Sequence, residues 1–175
     1  MFILVQHKFT SYLTKHYSAN KKSGLDIGCR QRPYDDLYQC KYIGIDLSSS
    51  VSYAKNIKPD IFSTGEFLPF KDNSFDFITC YSVIPYVKNI DRFFDEMNRV
   101  MQSSGIAVII IMNIKGLNLQ PETKFEQRYS SKDLHKKLEE HDFISIKHSN
   151  PKAFFLSTYY DKKSVYAYAI VKPKK

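Results

Sequence analysis

Gly24-Leu25-Asp26-Ile27-Gly28-Cys29-Arg30 combines three signals: an apolar run that reads as a buried strand, an acid inside it, and a glycine where the strand turns away. The next run of this kind, Tyr42-Ile43-Gly44-Ile45-Asp46, ends on a second carboxylate about twenty residues past the first. A βαβ unit uses that separation to aim an acid at a ribose. Two strands, one tight turn and one terminal acid therefore point to a nucleotide-like ligand.

Working outward from that pair, the chain alternates. Phe2, Val5, Phe9, Tyr12, Leu13 and Tyr17 fall near helical spacing and predict an amphipathic helix over 2–18. Pro33 fits a helix start, with Tyr34, Leu37 and Tyr38 as the apolar face of a helix between the first two strands. A further helix is expected near 50–56. Lys58 to Phe62 reads as a short third strand with Pro59 at its beginning, and 75–81 as a fourth. Ile90, Phe93, Phe94, Met97 and Val100 form a core stripe on a helix over 89–101, followed by the nearly unbroken apolar strand Gly105 to Met112. Ser130-Ser131-Lys132-Asp133 opens a helix running to about His141, with a side-chain cap and an early acid. Phe143–His148 and Ser164–Lys172 read as the sixth and seventh strands. The alternation implies an α/β fold, a three-layer Rossmann-like sheet.

Composition sets the bounds. A chain of 175 residues, 43% hydrophobic, fits one domain with a real core and is too short for two. The formal charge of +8 sits partly in clusters such as Lys21-Lys22, Lys136-Lys137, Lys162-Lys163 and Lys172-Pro173-Lys174-Lys175. They read first as solvated faces and second as attraction for an anionic partner. Cys29, Cys40 and Cys80 are odd in number and lack the close pairing of a zinc site, which favours reduced thiols and a cytoplasmic location. Metal ligands are not expected. Neither a signal peptide nor a membrane span is expected.

Asp26-Ile27-Gly28-Cys29-Arg30, Gly44-Ile45-Asp46, the stretch Phe67 to Ile78 and the stretch Met97 to Gly105 follow one another in a definite order and spacing. In that order and spacing the chain resembles the class I S-adenosylmethionine-dependent methyltransferases of the type 11 kind, over about residues 23–113. The resemblance implies about seven strands, mostly parallel, with the last inserted antiparallel between the fifth and sixth. It also implies a division into an N-terminal helix over 1–22, a cofactor-binding core over 23–113, and a C-terminal helix and strands over 114–175. Its cofactor is S-adenosylmethionine, released as S-adenosylhomocysteine.

The resemblance carries over site residues one by one. Gly28 leaves room for the methionyl end of the cofactor, where a side chain would intrude. Arg30 stands where the family usually has a second glycine, and it would fold outward, contact the methionyl carboxylate, or fill the pocket. Asp26 matches the acid near the methionyl amino group, and Asp46 the bidentate acceptor of the ribose hydroxyls, with Leu47 beside it. Thr64-Gly65-Glu66 replaces the family's adenine-binding Asp-Ala, so Thr64 would accept the adenine amino hydrogen without charge assistance. Tyr81, at the end of the fourth strand, would face the methyl group. Tyr86 reads first as a packing aromatic and second as a substrate contact.

Methyl transfer needs alignment more than acid–base chemistry. None of His7, His16, His135, His141 and His148 stands out as a catalyst, and no catalytic residue is assigned from the sequence. Acceptor specificity is expected from 113–129 and from 149–163, the second carrying Phe154-Phe155 and Tyr159-Tyr160 and serving also as a contact for an oligomer or partner protein. The expected acceptor is a small molecule, with an anionic one in view of the charge. The alternatives are a non-catalytic methyltransferase-like module, motivated by Arg30 and Thr64, and an RNA methyltransferase, motivated by charge alone. Nucleic acid is disfavoured because no RNA-binding motif is appended. A dinucleotide-dependent dehydrogenase is disfavoured because the further glycines of its fingerprint are absent.

Overall fold

The computed structural model describes residues 2–47, 58–120, 122–146 and 166–175. Helix α1 (Phe2–Ser18) precedes strand β1 (Ser23–Ile27), then come β2 (Lys41–Asp46), β3 (Ile61–Phe62) and β4 (Phe75–Tyr81). Helix α2 (Ile90–Val100) leads into β5 (Met101–Met112) and a single-turn helix α3 (Ile114–Leu117). Helix α4 (Ser131–Glu140), β6 (Phe143–Ser145) and β7 (Tyr166–Pro173) complete the described elements. The sheet order is β3-β2-β1-β4-β5-β7-β6. The first five strands pair in parallel, and β7 runs antiparallel to both β5 and β6. The order and the inserted last strand are as the resemblance implied.

Both sheet faces are covered, which explains the continuous apolar run in β5. Phe77, Val108, Ile110 and Ile170 bury against Phe9 and Leu13 of α1. Ile78, Cys80, Ala107, Ile109 and Ile111 face the other way, onto Phe93, Phe94 and Met97 of α2 and Leu134 and Leu138 of α4. The stripe on α2 is buried throughout.

Polar contacts fix where each strand begins. The Asp76 carboxylate at the start of β4 accepts the backbone N–H groups of Lys22 and Ser23, both at 2.9 Å, which sets β1 beside β4. Ser130 and Asp133 form the reciprocal capping box of α4, stronger than the single cap expected. His141 lies between two acids of α2, with Nδ1 2.8 Å from Asp95 and Nε2 2.9 Å from Asp91. Its ring also leans on Phe94. This histidine fastens the end of α4 to α2.

Three elements differ from expectation. After Pro33 the chain makes only a short 3₁₀ turn, Asp35–Leu37, instead of a helix. Asp35 is drawn onto the Arg32 guanidinium and the Tyr42 hydroxyl, and Arg32 itself has a left-handed backbone (φ +53°), so the segment closes on itself before a helix can propagate. Strand β3 is confined to two residues: Pro59 has no N–H to offer, and the Asp60 side chain takes the Gly44 N–H at 2.7 Å. Strand β6 ends at Ser145, and residues 147 and 148 of the expected strand lie outside the described residues, as does the expected helix near 50–56.

The loop from Thr64 to Phe70 is clamped to α2 from several points. Arg99 donates to the carbonyls of Phe70 and Leu68 at 2.8 and 3.0 Å while paired with Glu96, and Glu96 accepts the Leu68 N–H at 2.8 Å. Removing a charged donor that satisfies two carbonyls and orients a carboxylate costs about 2 kcal/mol. Arg99→Met is therefore expected to lower the thermal midpoint by roughly 4–8 °C, as 2–4 °C per kcal/mol applies to a domain of this size. Differential scanning calorimetry checks this, and an unchanged midpoint removes the clamp.

Candidate functional site

Where β1, β2 and β4 end, their connections diverge and leave a cleft of about 800 Å³. Ligands of open α/β sheets bind at this edge. Gly28, Arg30, Asp46, Leu47, Thr64, Gly65, Glu66 and Tyr81 all line it. Asp26 does not; it lies beneath the cleft floor and is 3% exposed.

The turn after β1 is built by backbone geometry. Gly28 has φ +79°, and a Cβ there would stand 2.2 Å from a Val83 methyl group. The glycine is thus required by the chain's own Val83, a reason other than the ligand clearance expected. Its N–H and that of Cys29 both reach the Ile45 carbonyl, at 2.9 and 3.0 Å. Arg30 has φ +49°, a left-handed conformation that a glycine reaches without strain. It is exposed and lines the cleft. Arg32, by contrast, is absorbed into structure, with Asp35, Asp60 and Tyr42 around it.

Asp46 closes the floor on the other side. Its Oδ2 accepts the Arg30 N–H at 2.7 Å and its Oδ1 the Leu47 N–H at 2.7 Å, so both oxygens are oriented by backbone donors. It is 7% exposed and still lines the cleft. Further along the rim, the Thr64 hydroxyl accepts the Glu66 N–H at 2.9 Å, a tight side-chain turn. The Glu66 carboxylate is committed to the N–H of Asn89, the residue that caps α2, and Arg92 donates to the Glu66 carbonyl at 3.0 Å. Gly65 is pressed against Phe93, where a Cβ would come within 2.2 Å of the ring.

Tyr81 presents its ring to the cleft while its hydroxyl is engaged behind it. Thr14 of α1 donates to the Thr10 carbonyl at 2.9 Å, so the 2.7 Å contact between Thr14 and Tyr81 has the phenol as donor. Burial pushes the Tyr81 phenol well above its usual range, and it stays neutral. The edge of Tyr34 packs on the same ring. Burial also pushes the Cys29 thiol up to about 12, so it stays protonated.

Asp26 accepts the Thr79 hydroxyl at 2.8 Å, and Thr79 in turn meets the Tyr38 hydroxyl. Burial outweighs these hydrogen bonds and the pull of Arg32, and the carboxyl is pushed up to about 6.

Other residues complete the lining. Ser82 turns the chain out of β4 with φ +60°, and its N–H reaches the Ile110 carbonyl at 2.7 Å. Met112, Gln120 and Tyr166 arrive from the ends of β5 and β7 and the segment between. The pairing of β5 with β7 brings Met112 and Tyr166 together there, and no local motif marks them. Tyr86, expected first as packing, is 58% exposed and lines the cleft. Of the two segments expected to set acceptor specificity, 113–129 supplies the wall at Gln120, whereas 149–163 lies outside the described residues. Among the described residues no group of histidine, cysteine and acidic side chains could hold a metal ion, and no helix is long and apolar enough to cross a membrane.

With this geometry in place, comparison with known proteins is specific. A methyltransferase-domain family model matches residues 25–109, from β1 into β5. An uncharacterized protein of Methanocaldococcus jannaschii is 32% identical over 96 residues, 53% of this chain and 46% of its own length. The chain thus spans about half the length of that curated relative. An S-adenosylmethionine-dependent methyltransferase of Thermotoga maritima superposes with a TM-score of 0.68 at 18% identity, covering 99% of this chain and 93% of the other. A chain of the Haloferax volcanii complex between the Trm112 methyltransferase activator and a methyltransferase gives 0.69 at 12% identity, with 97% and 93% covered. The fold is that of the class I S-adenosylmethionine-dependent methyltransferases. Residues 25–109 are similar to a methyltransferase domain, a little under half of the chain.

The raised Asp26 carboxyl has a measurable signature. Its value rises from 3.8 to about 6, so within that window the folded chain holds a proton that the unfolded chain has lost. Stability contributed by the protonated carboxyl is complete below about pH 4 and is lost as pH rises through about 6. Asp26→Asn removes the titration. Thermal denaturation followed across pH 4 to 7 is expected to show the wild type losing stability relative to the variant over this window, and parallel curves refute the assignment.

Proposed function

We propose that this chain is an S-adenosylmethionine-dependent methyltransferase acting on a small-molecule acceptor. The observation that carries the reading is Asp46: a carboxylate at the end of β2, oriented by two backbone N–H groups, on the floor of a cleft at the sheet's carboxyl edge. Ionised carboxyl groups are acceptors only, with about four lone-pair directions, and a vicinal diol offers two donors. The donor set fits the cofactor's chemistry: Asp46 and Leu47 for the ribose, Thr64, Gly65 and Glu66 along the base edge, Gly28 and Tyr81 beside the methionyl chain. Asp26 acts from beneath, its charge felt by an ammonium group above the floor. Arg30 supplies a cation suited to the methionyl carboxylate.

When bound, the cofactor supplies a methyl group on a sulfonium centre, already activated toward a nucleophile. The chain's own part is to bind, align and exclude water. Thr14 and Tyr34 hold the Tyr81 ring, and the clamped loop from Thr64 to Phe70 holds the rim. The Glu66 carboxylate accepts the N–H of Asn89 and the Thr64 hydroxyl accepts the Glu66 N–H, which orients both side chains along the proposed base edge. An activator protein of the kind seen with the Haloferax relative is a further proposal for this chain, as is an oligomer formed through 149–163.

The test is calorimetric titration with S-adenosylmethionine and S-adenosylhomocysteine, with NAD as control. Binding of the first two and not the third is expected. Asp46→Ala is expected to weaken binding by roughly a hundredfold, about 2.7 kcal/mol for two lost charge-assisted hydrogen bonds. Unchanged affinity in a folded variant removes the ribose role, and no binding in the wild type makes the non-catalytic reading the leading one.

A further inference from the structure

The cleft has two chemically different halves. Asp46, Thr64, Glu66 and Arg30 make one polar. The other is formed by Tyr81, Tyr86, Met112 and Tyr166, from the ends of β4, β5 and β7 and the turn after β4.

Tyr86 is the unusual member. An aromatic ring 58% exposed leaves a large apolar surface in water, and on a mobile loop it would carry no information. Here the loop is braced. Tyr86 ends a 3₁₀ turn, Ile84–Tyr86, in which its N–H reaches the Val83 carbonyl at 2.9 Å. Pro85 fixes the backbone, and its carbonyl accepts the N–H groups of Glu126 at 2.9 Å and Gln127 at 3.3 Å. The Gln127 side chain returns to the Val87 carbonyl at 3.1 Å. Phe125 backs the Tyr86 ring at 5.6 Å between centroids, and Arg128 lies over Phe125 while donating to Asn118. The ring is thus supported from behind by a second ring and a cation, and held by hydrogen bonds on both sides. Its remaining surface opens on the cleft.

We infer that Tyr86, backed by Phe125, is the acceptor-binding platform, and that the acceptor is a flat aromatic or heteroaromatic molecule. This rests on the methyltransferase reading and names the substrate class it leaves open. Ring faces carry negative charge and ring edges positive, so a planar ligand gains from stacking or edge contact where a saturated one of equal size does not. Pre-ordering the platform lowers the entropy lost on binding. Tyr81 and Tyr166 add further rings to the same half, and the Met112 thioether makes favourable contacts with aromatic edges.

The experiment uses the full chain saturated with S-adenosylhomocysteine, with 2-naphthol and decahydro-2-naphthol as probes, the same skeleton and hydroxyl in flat and saturated form. Titration followed by ligand-observed saturation-transfer NMR is expected to give roughly tenfold tighter binding of 2-naphthol. Tyr86→Ala is expected to abolish that preference and leave the affinity for S-adenosylhomocysteine unchanged, while Tyr86→Phe retains both. Equal affinities of the two probes, no binding of either, or a preference that survives Tyr86→Ala overturns the platform while the cofactor site stands. Failure of S-adenosylhomocysteine to bind the wild type overturns the methyltransferase reading, and the platform with it.

Discussion

The rest of the site depends on one carboxylate held by two amide groups. Asp46 joins the turn after β1 to the end of β2 through the Arg30 N–H, and keeps its own strand end in place through the Leu47 N–H. That link acts beside the hydrogen bonds from Gly28 and Cys29 to the Ile45 carbonyl, and it offsets the steric cost that Arg30, unlike a glycine, meets in the left-handed conformation. The same carboxylate lines the cleft. A structural constraint and the group proposed to recognise the ribose are here one carboxylate.

A second layer of constraint comes from α2. Glu66, Arg92, Glu96 and Arg99 tie the loop from Thr64 to Phe70 to this helix, and Gly65 allows the loop to touch Phe93 directly. The order of motifs along the chain reflects this packing. Glu66 and Arg99 are more than thirty residues apart in sequence, yet both act on the same loop. Such charge-assisted contacts have exacting geometry, which is why the loop and the helix carry recognisable residues at fixed positions.

Much of this was legible in the sequence because periodicity reports burial. The stripe on α2, the unbroken run in β5 and the paired acids Asp26 and Asp46 each follow from a local pattern, and they place the sheet and the cleft's polar half. The segment after Pro33 was misread because its apolar spacing suits a helix, whereas the Arg32 network and positive φ values that prevent one are tertiary facts. The aromatic half of the cleft was hidden for a related reason. Met112 and Tyr166 are more than fifty residues apart and meet only through antiparallel pairing, Met112 standing directly opposite Tyr166. The exposure of Tyr86 depends on Phe125 and Gln127 arriving behind it, which no spacing rule encodes.

The insertion of β7 between β5 and β6 also orders events during synthesis. Strand β5 is paired with β4 on one side, but its other edge waits for a strand that begins at Tyr166, more than fifty residues later. At about 5–20 residues per second the ribosome takes several seconds to deliver it. Throughout that interval the most apolar strand of the sheet has an open edge, and β6, made partway through it, lacks the neighbour it pairs with. The nascent chain is therefore open to wrong pairing with other chains after β1 to β5 have been translated and before β7 has emerged.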